Sequence, residues 1–273
     1  MKILGIARAS EFSPNMVDND AAILHAVAEC LSDMGHSVSC ISETDFCKEC
    51  EAEFIFSMAR HLSTIGLLKE IKHEKGIPVV NPAEGVENCT RSRFTDIFMR
   101  ECIPSPLSWV FDLHELPELE YPCWIKRGDG CAQKKSDVSY VESKREACAV
   151  ITDFAERGIS CAVANKHLEG DLIKFYGVEG TDFFDWGYAA DGHSKFGLEE
   201  HNGKVHGFHF SLEELKNISD RAARVLNVPV YGGDCIVSET GELRIIDFND
   251  WPSFSRCRDK AAKAIAERIV RGL

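Results

Sequence analysis

Polar side chains interrupt an apolar segment near the end of the chain, in the stretch RIIDFNDWPSF at residues 244–254. The apolar residues predict a strand that enters a core, yet Asp247, Asn249 and Asp250 lie in it or directly after it. A buried carboxylate is costly unless another group compensates its charge. The chain must therefore fold so that a partner meets Asp247, and this requirement restricts the structures it can adopt.

A second acidic strand precedes this one. Asp234 lies in VYGGDCIV, 13 residues before Asp247, and a turn at Thr240-Gly241 separates the two segments. Antiparallel pairing can bring such positions side by side, and Asp247 and Asn249 share a strand face because side chains alternate. Three oxygen-bearing side chains then converge, which suits Mg²⁺. The alternative is a strand end where these acids are only solvated.

Strand and helix patterns alternate over the first hundred residues. KILGIA, SVSCIS, EFIFSM and IPVVN predict strands, while residues 20–35 and 61–75 predict helices. This order is typical of an open parallel α/β (Rossmann-like) sheet, whose ligands lie beyond the carboxyl ends of the strands. The loop after the first strand, ARASEFSPNMVDND, is therefore either a substrate loop or an ordinary surface loop.

A second unit begins after Pro104 and Pro106. In YPCWIKRGDG, Lys126 ends an apolar strand and precedes a loop with Gly128 and Gly130, where a lysine is well placed to meet phosphate oxygens. Lys174 lies in a later strand, LIKFYGV. Each lysine alone is a weak signal, since lysines are common on strands that face solvent. Ser143 with Glu146, and Ser211 with Glu214, form capping boxes that predict two helices.

Composition excludes some functions. The formal net charge of −13 argues against a nucleic-acid backbone as partner. The sequence contains no apolar run of 18 residues, so we expect no transmembrane helix. The 12 cysteines are scattered, and without a secretion signal we expect reduced thiols and a cytoplasmic location. Cys47 and Cys50 form one close pair, which is either inert or a redox pair.

Together these segments resemble the ATP-grasp superfamily. CWIKRGDGCAQ resembles the strand and glycine loop of its lid, VANKHLEGD its adenine hinge, and GGDCIVSETGELRIIDFNDWP its metal-binding strands. The resemblance covers about residues 104–255 and is looser before them. It implies an ATP-grasp fold with an N-terminal α/β domain at 1–103, a lid subdomain at 104–160 and a C-terminal subdomain at 161–273.

The resemblance also implies roles for individual residues. Lys126 would contact the α- and β-phosphates beneath the loop of Gly128 and Gly130, and Lys174 would face the phosphates or the substrate. Either Arg91 or Arg93 would replace the lysine of the family's linker.

The implied nucleotide and metal sites comprise further residues. The adenine hinge would consist of five consecutive positions, which are Ala164, Asn165, Lys166, His167 and Leu168. Asp171 would meet the ribose, and Mg²⁺ would be held by Asp234, Asp247 and Asn249. The chain departs from the family at Asp247, where the family usually has Glu, and at Asp129 in the glycine loop.

The implied reaction uses ATP and Mg²⁺ to phosphorylate a small carboxylate, and an amine, or less often a thiol, then attacks the acylphosphate. Arg8 and Arg256 are candidates to hold an anionic substrate. Arg256 is also a catalytic candidate, together with Lys126 and Lys174. The alternative is that each arginine is an ordinary surface residue. Polar contacts would come from the N-terminal loop, through Ser13, Asn15, Asn19 and Asp20.

Two other functions stay open. The same fold could serve a small-molecule kinase or a non-catalytic nucleotide-binding module, but binding alone does not require the complete set of Lys126, Asp234, Asp247 and Asn249. Specificity would lie in the N-terminal loop, in residues 180–206 and after Pro252. The histidines of that middle segment, such as His193, lack a metal-binding spacing. A homodimer is a family-level expectation.

Overall fold

The first hundred residues form an open parallel sheet, as the alternating patterns predict. The computed structural model describes residues 1–189, 201 and 203–272. Four parallel strands lie in the order β2-β1-β3-β4, namely β1 (Lys2–Ala7), β2 (Ser37–Ser42), β3 (Phe54–Ser57) and β4 (Val79–Val80). The loops after β1 and β3 therefore leave the sheet at the same edge.

Helices connect these strands and lead out of the domain. They are α1 (Val17–Asp33), α2 (Leu62–Lys75), α3 (Ala83–Asn88) and α4 (Arg91–Arg100). Helix α2 ends at Gly76, whose φ of 67° is the left-handed conformation that glycine adopts at little cost. Helix α1 connects β1 to β2 and α2 connects β3 to β4, whereas a loop without a helix joins β2 to β3.

A second, antiparallel sheet follows. Its strands lie in the order β5-β8-β6-β7 and comprise β5 (Ser108–Asp112), β6 (Cys123–Arg127), β7 (Val138–Val141) and β8 (Cys161–Lys166). Helix α5 (Lys144–Glu156) begins where Ser143 accepts a hydrogen bond from the Glu146 amide, as its capping box predicts. Strand β8 pairs with both β5 and β6, so this sheet extends one strand past the predicted boundary at residue 160.

A third sheet carries the acidic strands. Its antiparallel strands lie in the order β10-β9-β11-β12 and comprise β9 (Asp171–Val178), β10 (Phe184–Tyr188), β11 (Val230–Val237) and β12 (Leu243–Asp250). Helix α6 (Leu212–Leu226) begins at Ser211, whose hydroxyl accepts from the Glu214 amide. Much of the predicted specificity segment, including His193, lies outside the described residues.

The last helix returns to the N-terminal sheet. Helix α7 (Arg258–Arg271) packs against α1, and its buried Ile265 and Ile269 share a core with Ile23 and Leu31. Trp251, which directly follows β12, is fully buried in the same core. This packing brings the end of β12 against the loops after β1 and β3. No helix among the described residues is long and apolar enough to cross a membrane.

Candidate active site

A cleft of about 340 Å³ lies where the three sheets meet. Its walls include 13 of the candidate site residues named from the sequence, which are Arg8, Ser13, Asp20, Arg91, Lys126, Asn165, Lys166, His167, Leu168, Lys174, Asp234, Asp247 and Asn249. These residues come from all three sheets and from the start of α4. Residues separated by more than 200 positions thus share one wall.

The register of the third sheet arranges its cleft wall in three rows. Leu172 pairs with Ile236, which forms an apolar row. Lys174 pairs with Asp234, and Asp234 pairs with Asp247, which forms a charged row. The third row consists of Tyr176, Gly232 and Asn249. Neighbouring rows lie about 7 Å apart, because side chains on one strand face repeat every two residues.

Asp247 has a protein partner in the described chain. The Nη2 of Arg91 lies 3.4 Å from its Oδ2, and the Arg91 side chain is only 8% exposed. Burial alone would raise the pKa of Asp247, but the charges of Arg91 and Lys126 outweigh it and leave this pKa below its usual value. The partly buried carboxylate is therefore stable as an anion, and cations from two other elements stabilise it.

Lys126 faces the charged row from the second sheet. Its Nζ donates to the backbone oxygen of Ile246 at 2.8 Å, and the residue is 7% exposed. Burial lowers the pKa of Lys126 to about 8, although the charge of Asp247 acts in the opposite direction. Across the row, Lys174 Nζ lies 3.1 Å from Asp234 Oδ1. Three cations therefore surround two carboxylates here.

The charged and third rows offer oxygen ligands for a divalent cation. Asp234 and Asp247 are directly opposite each other, and Asn249 follows two residues later on the same face. Among the described residues, no three His, Cys, Asp or Glu side chains form a group that could hold a metal ion by themselves. Two carboxylates and an amide suit Mg²⁺ only when phosphate or water oxygens complete its shell. The residues present therefore fit a metal that arrives with a phosphate ligand.

The hinge residues lie beside the apolar row. Asn165 is held by a hydrogen bond from its Nδ2 to Ser108 Oγ at 2.8 Å, and Trp124 Nε1 donates to His167 Nδ1 at 3.0 Å. Trp124 lies two residues before Lys126 on β6 and also lines the cleft. Ala164 is fully buried behind the wall. This part of the cleft joins an aromatic ring to apolar side chains, which suits a planar base.

The glycine loop folds back on β8. The Gly128 amide donates to Cys161 O at 2.8 Å, and a Cβ on Gly128 would come within 2.7 Å of the Cys161 Sγ. Gly130 has open space around it. Asp129 turns from the cleft to Arg127, with Oδ1 2.8 Å from Nε. Cys131 and Ala132, which follow the glycines, are the loop residues that line the cleft.

Besides Ala164 and the two glycines, further predicted residues lie away from the cleft wall of the described chain. One of them is Asn19, whose Oδ1 accepts a hydrogen bond from Arg258 Nη2 at 2.9 Å. Arg93 is exposed and pairs with Glu87 at 3.2 Å, and Asn15 is exposed in a left-handed turn with φ of 63°. The Nε of Arg256 lies 2.8 Å from the carboxylate of Asp185.

Asp171 also lies away from the cleft wall, and backbone groups enclose its carboxylate. It accepts hydrogen bonds from the amides of residues 206, 207 and 208 at 2.6, 2.8 and 2.8 Å. Burial would raise the pKa of Asp171, but these backbone hydrogen bonds keep it below its usual value. The Asp171 carboxylate therefore holds the loop at residues 206–208 in place through these hydrogen bonds.

The N-terminal end of the cleft is formed by Arg8, Ser13, Asp20, Arg60 and Asp250. Each nitrogen of the Arg8 guanidinium has a partner, namely Met58 O at 3.1 Å, Asp20 Oδ2 at 3.1 Å and Trp251 O at 3.0 Å. Ser13 Oγ donates to Asp20 Oδ2 at 2.6 Å. Arg8 therefore clamps the N-terminal sheet to the end of β12.

Arg60 and Asp250 are site residues for which no role was predicted from the sequence. Arg60 Nη2 lies 2.5 Å from Asp250 Oδ1, across 190 positions of sequence. One signal was available for Arg60, since it follows β3 at the carboxyl edge of the parallel sheet, where ligands bind. Tyr176, which shares the face of Lys174, was also missed.

No family model matches the sequence, and no curated protein matches it. Solved structures do match it. The D-alanine–D-alanine ligase from Bacillus anthracis complexed with ATP gives a TM-score of 0.72 at 15% identity, over 100% of this chain and 98% of that one. An ATP-grasp RimK domain protein from Sphaerobacter thermophilus gives 0.71 at 13% identity, over 99% and 100%.

A third match is the D-alanine–D-alanine ligase from Coxiella burnetii, with a TM-score of 0.70 at 10% identity, over 100% of this chain and 97% of that one. The matches extend over the whole length of both chains, so they include the N-terminal sheet as well as the two antiparallel sheets. The resemblance seen in the sequence is thereby confirmed at the level of architecture: the chain has the ATP-grasp fold.

Proposed function

We propose that this protein is an ATP- and Mg²⁺-dependent ligase that joins a small carboxylate to an amine through an acylphosphate. The observation that carries the proposal is the charged row, where Lys174, Asp234 and Asp247 meet Lys126 and Arg91. Phosphoryl transfer requires cations placed around the moving group rather than covalent help from the protein. The ligase titles of the structural neighbours support the same reaction class.

Each group at the charged row has a separate task in this proposal. Lys126 and Arg91 hold the phosphates from the lid side and from α4, and Lys174 faces the γ-phosphate from β9. Asp234, Asp247 and Asn249 would hold Mg²⁺, which supplies charge neutralisation to the phosphates when it is bound. The base lies against Trp124 and the hinge from Asn165 to Leu168.

The proposed chemistry proceeds in two balanced steps. A carboxylate oxygen of the first substrate attacks the γ-phosphorus, the bond to the β–γ bridging oxygen breaks, and ADP leaves. The amine nitrogen then attacks the acyl carbon, phosphate leaves with the electron pair of the acyl C–O bond, and the nitrogen loses a proton to solvent. The cations around the charged row stabilise negative charge in both steps.

Mg²⁺-dependent ADP release tests the proposal. The assay combines amino acids and other small carboxylates with and without amines, and it compares Lys126→Met and Asp247→Asn with Lys144→Met, which removes an exposed lysine of α5. We expect release that requires both substrates and falls at least about a hundredfold in the two cleft variants. Release without any amine would instead indicate a kinase, and absence of nucleotide binding would reject the assignment.

The cysteines support a further part of the proposal, a cytoplasmic location. No disulfide bond joins any cysteines of the described chain. Burial raises the pKa of Cys235 to about 12 and that of Cys123 to about 11, which makes both thiols poor nucleophiles. Reduced, unreactive thiols are typical of proteins in reducing compartments.

A further inference from the structure

A second cavity lies against the N-terminal sheet, away from the nucleotide cleft. It has a volume of about 360 Å³, and its lining includes Lys2 and Ser37, the first residues of β1 and β2. The segment between β2 and β3 contains no helix, so a loop covers this part of the sheet and leaves the space open. The nucleotide cleft lies at the other, carboxyl edge of the same strands, and the two cavities share no lining residue.

Two cysteines of the covering loop line this cavity. Cys47 is exposed, whereas Cys50 is half-buried and packs against the apolar core between the sheet and α2. Lys48 and Glu49, which separate them, form a turn. A four-residue turn brings its first and last Cα atoms within about 7 Å, and disulfide bonds join Cα atoms about 4.4–6.8 Å apart. The geometry therefore suits a bond between the two thiols.

Contacts that do not involve sulfur hold this turn in place. Lys48 Nζ lies 3.1 Å from the carboxylate of Glu70 and 2.8 Å from that of Glu74, both on α2. Lys75, at the end of the same helix, donates from its Nζ to the backbone oxygen of Lys48 at 2.6 Å. Burial raises the pKa of Cys50, while the charge of Lys75 acts in the opposite direction. The two cysteines are thus held together before any bond forms between them.

We propose that Cys47 and Cys50 form a thiol–disulfide exchange site for the disulfides of small thiols. The exposed Cys47 thiolate attacks one sulfur of such a disulfide, the S–S bond breaks, and one small thiol leaves. The Cys50 thiolate then attacks the Cys47 sulfur, and the second small thiol leaves. The protein loses two electrons and two protons, and the small disulfide is reduced to two thiols. Excess small thiol reverses both steps.

The surroundings favour exchange over metal binding, and they favour a cationic disulfide. No three His, Cys, Asp or Glu side chains in the described part of the chain form a group that could hold a metal ion, whereas exchange requires only two sulfurs. Glu49 and Glu51 bring two negative charges to the cavity lining, and Lys2 brings one positive charge. A disulfide that carries amines is therefore attracted, and one that carries carboxylates is repelled.

Mass spectrometry of the full-length reduced protein tests the proposal, with cystamine as the cationic probe. Trypsin cleaves after Lys48, so a disulfide between Cys47 and Cys50 joins the peptides 9–48 and 49–60. We expect these joined peptides, and a mixed disulfide on at most about a tenth of the reacted Cys47, because Cys50 attacks within the same turn. Dithiothreitol should restore both thiols. A mixed disulfide that persists on Cys47 in the wild type, or no reaction at Cys47, would overturn the proposal.

Variants assign the two thiols. Cys50→Ser should retain the small thiol on Cys47, and Cys47→Ser should give no joined peptides. Cys40→Ser is the matched control, since this exposed cysteine of β2 lies in the same peptide but alternates away from Ser39 and Ile41, which face the cavity. Joined peptides in Cys47→Ser, or their loss in Cys40→Ser, would reject the pair.

Two further measurements separate this site from the nucleotide cleft and test its charge. Cystamine should react at least about threefold faster than glutathione disulfide, and Glu49→Gln should reduce this ratio; equal rates would reject the preference for a cation. Oxidation should change the affinity for an ATP analogue less than about twofold, because the two cavities share no residue. The inference therefore does not depend on the proposed function, and failure of one leaves the other intact.

Discussion

Replacing Asp171 by Asn should destabilise the protein without weakening nucleotide binding. The Asp171 carboxylate accepts three backbone hydrogen bonds, one at Oδ1 from His206 and two at Oδ2 from Gly207 and Phe208. Asparagine has only one acceptor oxygen, and its NH₂ group would face an N–H donor. Of the three bonds, at least one charge-assisted bond is lost and one amide remains unsatisfied.

The expected loss of unfolding free energy is about 2–4 kcal/mol, from a lost hydrogen bond to a charged group and a buried amide left unsatisfied. For a chain of this size, that loss lowers the melting temperature by roughly 4–12 °C. Thermal and urea unfolding measure it, and Asp182→Asn, at an exposed carboxylate on the turn after β9, is the control. The Kd values for ATP and 2′-deoxy-ATP should stay within about twofold of wild type.

The pH dependence gives a second readout of the same contact. The pKa of Asp171 is lower in the folded protein than its usual value, so the folded state favours the carboxylate. Its contribution to stability is therefore present above about pH 4 and disappears as the pH falls through the lowered pKa. Asp171→Asn should lack this component. If the variant instead melts like wild type but loses its preference for ATP over 2′-deoxy-ATP, Asp171 contacts the ribose and our reasoning is wrong.

Three predictions concern the charged row. Raising the pH from 7 to 9 should weaken the binding of metal-free ADP, measured by calorimetry, up to about tenfold. The reason is that Lys126, with its pKa of about 8, loses its charge in this interval. The variant Lys126→Arg, which keeps its charge, should show no such decline. Arg91→Met should weaken ATP binding at least about tenfold, whereas Arg93→Met should match wild type in the same titration, since only Arg91 lies at the cleft. Asp247→Asn should lower the unfolding free energy by about 1–3 kcal/mol, as measured in urea, because Arg91 loses its anion; an unchanged midpoint would contradict this.

The local patterns determined much of the fold. The alternation of strands and helices in the first hundred residues depends on hydrophobic periodicity, and capping at Ser143 and Ser211 depends on residues only three positions apart. The charged row was predictable only in part: strand geometry places Asp247 and Asn249 on one face, but Asp234 lies opposite Asp247 through a β-bulge between Asp234 and Cys235. Interactions over a few residues, or across one hairpin, are visible in a linear sequence.

Other parts of the site depended on how separate elements pack. The sequence allowed Arg91 or Arg93 to face the phosphates, and the orientation of α4 selects Arg91 because Arg93 points to Glu87. Asp171 follows the hinge as expected, but its direction is set by the loop at residues 206–208. The sequence around a single residue such as Arg93 or Asp171 does not reveal whether its side chain faces a cleft or a loop.

The acidic strands could be identified from local patterns, because side-chain alternation and a short turn are visible in the sequence, whereas their register depends on the β-bulge between Asp234 and Cys235. The sequence also required a partner for Asp247 and, through the resemblance, implied Mg²⁺, but it named no partner side chain. Only the tertiary structure supplied Arg91 as that partner and brought Arg60 to Asp250 across 190 positions. The physical reason is that the cost of a buried charge can be read from its apolar neighbours in sequence, whereas the compensating charge comes from any element that packing brings within a few ångströms.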